Sequence, residues 1–198
     1  MKYCLIFFLL LITSCSTNEF EEKSFVYFVT NNQGLRSGNK QDDFKYKVTL
    51  KMDSLKIYKN EQFLCTFKYK VDEKGIFIIE DNIPKLLYSF ELNKKIKREN
   101  FKTFFFEEVE LVETKTYKIN NKSFLVYHFL ESDVSETLDS YYLIDEGFIC
   151  FYKYDSDNFI YLDSPKANEL SSVFFKDSTF FAQLKLRKLD KEMGRKFD

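Results

Sequence analysis

Residues 109–130 read VELVETKTYKINNKSFLVYHFL, and the reading of this stretch decides the fold class. Val109 to Ile119 reads as a strand. Asn120-Asn121 follows it, and asparagine tolerates the left-handed backbone that a two-residue type I′ loop requires. Lys122 to Leu130 then returns as a second strand. The stretch is an antiparallel hairpin. Val126 and Leu130 share a face with His128, while Leu125, Tyr127 and Phe129 fill the other face. A strand apolar on both faces is usually covered on both. His128 is therefore expected in a covered, central strand, held by one or two hydrogen bonds.

The same signals continue on both sides. Leu138 to Asp145 runs into Glu146-Gly147 and back through Phe148 to Tyr154. Asp155-Ser156-Asp157-Asn158 turns the chain again into Phe159 to Leu162. Upstream, Phe44 to Leu50 alternates apolar and polar side chains, as does Gln62 to Val71, the period of a half-buried strand. Asp72-Glu73-Lys74-Gly75 leads into Ile76 to Ile79. Leu86, Tyr88, Phe90 and Leu92 alternate too, although a helical template also fits that segment. Ser164-Pro165 is the N-cap and first residue of one short helix near 165–174. Phe180, Ala182, Leu184 and Leu186 alternate as a last strand would. The expectation is a mainly β fold, an antiparallel meander forming a sandwich or an open or half barrel. No internal repeat and no shift of composition divides it.

The start of the chain, MKYCLIFFLLLITSCS, is a different kind of segment. Lys2 supplies a positive charge, Leu5 to Ile12 an apolar run, and Thr13-Ser14 small residues before Cys15. A membrane-spanning helix needs about 20 apolar residues, and eight are too few; the layout is that of a secretory signal. Ile12-Thr13-Ser14-Cys15 resembles the lipobox of bacterial lipoproteins. The resemblance implies diacylation of the Cys15 sulfur, cleavage before Cys15 and acylation of the new amino group. Two or more acyl chains anchor a protein stably where one does not. It also implies that Ser16, in place of aspartate, directs the protein to the outer membrane. Residues 17–23, TNEFEEK, resemble a surface-export signal of some lineages, so periplasmic and surface exposure both remain open. The organisation read from the sequence is a cleaved signal at 1–14, a lipidated tether at 15–24, a single β-rich domain at 25–187 and a charged tail at 188–198.

Without Lys2, 29 basic residues stand against 31 acidic ones, a net charge near −2. That balance does not suggest nucleic acid as a partner, because phosphate binding needs a basic surface. The 24 Phe and 13 Tyr are read as core rather than as a ligand-stacking surface, because they alternate along the strands. Cys65 and Cys150 remain after Cys4 and Cys15 are assigned to the signal and the lipid. An oxidising compartment permits a Cys65–Cys150 disulfide; two buried free thiols are the alternative.

Catalytic signals are sparse. His128, the single histidine, could serve as base to a Cys150 or Cys65 thiol, but a structural role fits its apolar strand better. The five glycines form neither a Gly-x-Ser-x-Gly elbow nor a phosphate loop. Close-spaced zinc ligand pairs are missing. Asp155 to Asn158 begins like a calcium loop but is not followed by the glycine and glutamate that such a loop needs. Glu107-Glu108 and Glu131, Asp133 and Glu136 offer carboxylates, which hydrolyse glycosides only at a defined separation. Residues Asn31 to Asp43 form the one long polar loop.

These observations assign no catalytic, cofactor or metal site, and no cofactor. They lead to a membrane-anchored lipoprotein of the cell envelope that binds a protein partner or small ligand without catalysis. An immunity or inhibitor lipoprotein is a special case. An envelope hydrolase using His128 or paired carboxylates is the alternative, and an apolar-ligand carrier would need a hollow barrel.

Overall fold

The computed structural model describes residues 21–30, 44–51, 54–59, 62–98, 101, 106–134, 136–144, 146–153 and 158–194. The strands along them are β1 (Glu21–Thr30), β2 (Phe44–Lys51), β3 (Ser54–Lys59), β4 (Gln62–Asp72), β5 (Gly75–Glu80), β6 (Ile83–Ser89), β7 (Lys95–Lys97), β8 (Glu108–Ile119), β9 (Lys122–Ser132), β10 (Thr137–Leu143), β11 (Gly147–Lys153) and β12 (Asn158–Leu162). Two helices follow, α1 (Pro165–Phe174) and α2 (Ala182–Glu192).

All these strands join one antiparallel sheet in the order β6-β5-β4-β3-β2-β1-β12-β11-β10-β9-β8-β7. Each neighbour is also a neighbour in the chain, except at one place. β1 and β12, the first and last strands, pair from Tyr27↔Leu162 to Thr30↔Phe159. The meander thus joins its two ends and stays open between β6 and β7. It rolls until β6 packs against β9 and β11, with Tyr88 ring centroids 5.0 Å from both Phe129 and Phe148. The expected antiparallel meander is an open barrel in strand order and sandwich-like where these layers meet.

The turns follow residue chemistry. Asn120 and Asn121 hold φ of 48° and 61°, the two left-handed positions of a type I′ loop, between β8 and β9. Asp81 and Asn82 repeat the device between β5 and β6, with φ of 53° and 62°. Gly75, where β5 begins, has φ of 149°, and a Cβ there would lie 2.0 Å from the Tyr88 carbonyl oxygen. Only glycine fits that position. The Leu86 segment resolves as strand β6.

α1 matches its signal. Ser164 caps it, its Oγ accepting from the Ala167 N–H at 3.2 Å, and proline occupies the first turn. Ala167, Leu170 and Phe174 are buried, one face at helical spacing. Three boundaries need correction. The strand expected from Phe180 is the helix α2, because residues 182–192 contain no β-branched or aromatic side chain and are mostly strong helix formers. The charged tail expected at 188–198 continues that helix to Glu192. β1 begins at Glu21, inside the expected tether.

β10, β11, β12 and the second half of β9 are covered on both faces, whereas Leu125, in the first half of β9, is exposed. On one face, Tyr27, Tyr88, Phe129, Tyr142, Phe148 and Phe151 fill the inside of the roll. On the other, α1 and the segment before α2 set Phe174, Phe180 and Phe181 against Tyr141, Tyr152, Phe159 and Tyr161. Many of the aromatic side chains are therefore core.

Candidate functional site

Cys15 and the lipobox lie outside the described residues, as do Asn31 to Asp43 and Asp155 to Asp157. Asn158 opens β12. Cys65 lies on β4 opposite Ile57. Cys150, on β11, is a free, buried thiol. The disulfide considered for Cys65 and Cys150 is thus not formed in this structure. The two strands stand five positions apart in the sheet, well beyond the Cα separation a disulfide spans if measured along it.

His128 sits where its strand pattern places it. It is 5% exposed, on the helix-covered face of β9. Its Nε2–H donates to Asp139 Oδ1 at 2.5 Å. Its ring stacks on Tyr141 at 4.6 Å, with Phe180 edge-on at 5.8 Å. Asp139 is 1% exposed. Among the described residues, neither His128 Nδ1 nor Asp139 Oδ2 has a hydrogen-bond partner. Register explains the meeting. Tyr141 stands opposite His128, so Asp139, two residues earlier on β10, is the diagonal neighbour on the same face.

Cys150 stands opposite Tyr141 on its other side. Two strand spacings, about 9–10 Å, therefore separate the backbones of His128 and Cys150. Burial pushes the Cys150 thiol pKa well up, and the Asp139 charge pushes it further. The thiol is held protonated, the opposite of what a nucleophile needs.

A second polar cluster lies inside the roll. Glu131, one of the carboxylates singled out in the sequence, is the penultimate residue of β9 and 4% exposed. Its Oε2 accepts from Arg98 Nη1 at 2.7 Å, and its Oε1 accepts from Ser140 Oγ at 2.8 Å and Tyr88 OH at 3.0 Å. Arg98 Nη2 donates to the Leu87 carbonyl at 3.4 Å, and the guanidinium lies 4.6 Å over the Tyr88 ring. Burial alone would lower the Arg98 pKa, but Tyr88 and Glu131 outweigh it and raise it. Burial, then Glu131, pushes the Tyr88 hydroxyl well up. Arg98 follows β7 and Leu87 and Tyr88 belong to β6, so the cluster bridges the two open edges of the sheet. Asp133 and Glu136 close the β9–β10 turn, the Glu136 N–H donating to Asp133 Oδ1 at 2.7 Å. Glu107 and Glu108 lie at the start of β8, Glu107 exposed and Glu108 half-buried.

Among the described residues, no three His, Cys, Asp or Glu side chains gather where they could share a metal ion. No helix among them is long and apolar enough to cross a membrane. Arg98 and Asp139 carried no local sequence signal of function. Asp139 could have been found by counting register back from the β9–β10 turn. No protein-family model matches the chain, and no curated protein or solved structure matches it either.

Proposed function

We propose that the protein is a lipoprotein of the bacterial cell envelope, anchored in the outer membrane by acyl chains on Cys15. Its β-domain is a non-catalytic binding or assembly module for an envelope protein or small ligand. The observation that carries the anchor is Ile12-Thr13-Ser14-Cys15, placed directly after the apolar run from Leu5 and the charge of Lys2. Support for a binding module comes from where the reactive side chains lie. The imidazole of His128, the thiol of Cys150 and the Arg98–Glu131 pair are all enclosed by the core. The sheet's loops remain as surfaces for a partner.

The anchor is tested by Cys15→Ala in the native envelope. The change should abolish fatty-acid labelling and move the protein out of the membrane fraction. An uncleaved mutant that stays membrane-bound would show that the apolar run, not acylation, holds the protein. Co-purification from the organism's own envelope under mild crosslinking identifies the partner.

A further inference from the structure

We propose that the outer face of β2, β3 and β4 docks on the anionic bilayer that holds the lipid of Cys15. The proposal rests on the anchor reading above. Register places the residues. Lys47 stands opposite Tyr58, Thr49 opposite Lys56 and Lys51 opposite Ser54. Ser54 then stands opposite Lys68, Lys56 opposite Thr66 and Tyr58 opposite Phe63. Directly opposed residues share a sheet face, as do alternate residues along a strand. One face of the three strands therefore carries Lys45, Lys47, Lys51, Lys56, Lys68 and Lys70. Tyr46, Val48, Leu50, Ile57 and Phe67 belong to the other. Asp72, the last residue of β4, is the one acidic residue on the lysine face, and Lys70 matches it at 2.8 Å. Glu22, on β1 opposite Thr49, adds a second. Asp53 and Glu61 belong to the turns at the strand ends, so even a count that includes them sets six lysines against four acids. The face is the outside of the roll, continuous through β1 with the face that the helices cover: Phe28 pairs with Tyr161, and Val26 with Lys45.

Charge, an exposed ring and the place of the tether point to lipid as the occupant. A face that meets only water usually mixes both signs of charge. This one gathers lysine in a chain whose net charge after the signal is negative, and Lys68 and Lys70 are exposed. Phe63 shares the face and is 58% exposed. Lysines around an exposed aromatic ring suit the headgroup zone of an anionic bilayer, where the charges meet phosphate and the ring enters beneath it. A purely polar polyanion would leave the ring in water. The tether ends at the edge of the same face, because Glu21 pairs with Leu50, the neighbour of Lys51. Six residue steps separate Cys15 from Glu21, a span of at most about 21 Å. The face runs about 20 Å from Lys51 to Lys45, so the anchor holds it within reach of the headgroups. Docking is then an intramolecular event at high effective concentration. A second copy is a poorer occupant, because it would bring two lysine faces together.

The chain contains no tryptophan, so Phe63→Trp places a single reporter on the face. The mature lipoprotein is reconstituted into phosphatidylcholine vesicles, with and without phosphatidylglycerol. With phosphatidylglycerol present, the emission should shift to the blue and be quenched by brominated lipid, and added salt should reverse both. Adding Lys47→Gln and Lys56→Gln should lower the docked-to-undocked ratio roughly 30-fold, about fivefold for each charge lost near the surface. Lys45→Gln with Lys51→Gln, a second pair, should do the same. An equal loss from Lys188→Gln with Lys191→Gln, on α2, would mean that net charge rather than this face is read, and overturns the proposal. Protein that floats with vesicles while its tryptophan stays wet and unquenched overturns docking and leaves the anchor standing. Quenching at high lipid without fatty-acid labelling retains docking and overturns the anchor. A shift produced by alginate but not by vesicles assigns the face to an acidic polysaccharide and overturns the proposal. A shift that grows with protein concentration in the absence of lipid assigns it to a second copy and does the same.

Discussion

His128 and Asp139 make a pair in which each partner answers the other's burial. The carboxylate accepts the imidazole N–H, and Tyr141 and Phe180 close the space around the ring. Removing the donor leaves a carboxylate that is 1% exposed without its partner. His128→Gln keeps a side-chain N–H for Asp139 and should cost about 1–3 kcal/mol. His128→Leu removes the donor and should cost about 3–5 kcal/mol, the usual penalty for stranding a buried charge. Neither change should alter partner binding at temperatures where the mutant is folded. A fully stable His128→Gln protein that had lost its function would make His128 a site residue. The burial of His128 was legible, because its strand is apolar on both faces. Its partner was not, because the pairing depends on a register between two strands rather than on a motif.

At the scale of elements, hairpins and caps were the legible part. Asn120-Asn121 and Ser164-Pro165 specify their turn and their cap through local backbone preferences that need no distant partner. α2 was misread because four apolar residues from Phe180 to Leu186 alternate by chance, while the composition of 182–192 favours a helix. How the helices dock could not be read at all. Asp177, between α1 and α2, accepts from Lys115 Nζ at 2.5 Å, Tyr117 OH at 2.8 Å and Thr179 Oγ1 at 2.7 Å. Two of those donors lie on β8, some sixty residues earlier. Burial alone would raise the Asp177 pKa. The hydrogen bonds from Lys115, Thr179 and Tyr117 outweigh it and hold the carboxyl at about 2, against 3.8 when free. A depressed carboxyl stabilises the fold above its unfolded value and loses that contribution as pH falls through its folded one. The docking should therefore weaken between about pH 4 and pH 2. Asp177→Asn should lower stability at neutral pH and flatten the acid dependence in that window, as followed by urea unfolding at stepped pH. Parallel slopes for mutant and wild type would remove Asp177 from the account.

At the scale of the whole molecule, the chain's two ends meet and its middle stays open. Short turns implied a meander, but the β1–β12 closure joins residues as far apart as Tyr27 and Leu162, and local patterning does not encode such a pairing. The open place between β6 and β7 is bridged instead by the buried Arg98–Glu131 pair, with Tyr88 and Ser140 sharing Glu131. If this cluster holds the edges together, its members act as a unit. Arg98→Met leaves the Glu131 charge buried and should cost about 3–5 kcal/mol. Arg98→Met with Glu131→Leu removes both charges and should be less destabilising than Arg98→Met alone. It should still fall short of wild type by roughly 1–3 kcal/mol, because the Tyr88 and Ser140 hydroxyls lose their acceptor. Urea unfolding of the two single mutants and the double mutant measures the coupling directly. Additive losses would mean that the pair does not act as a unit and that apolar packing of Tyr88 on Phe129 and Phe148 closes the seam.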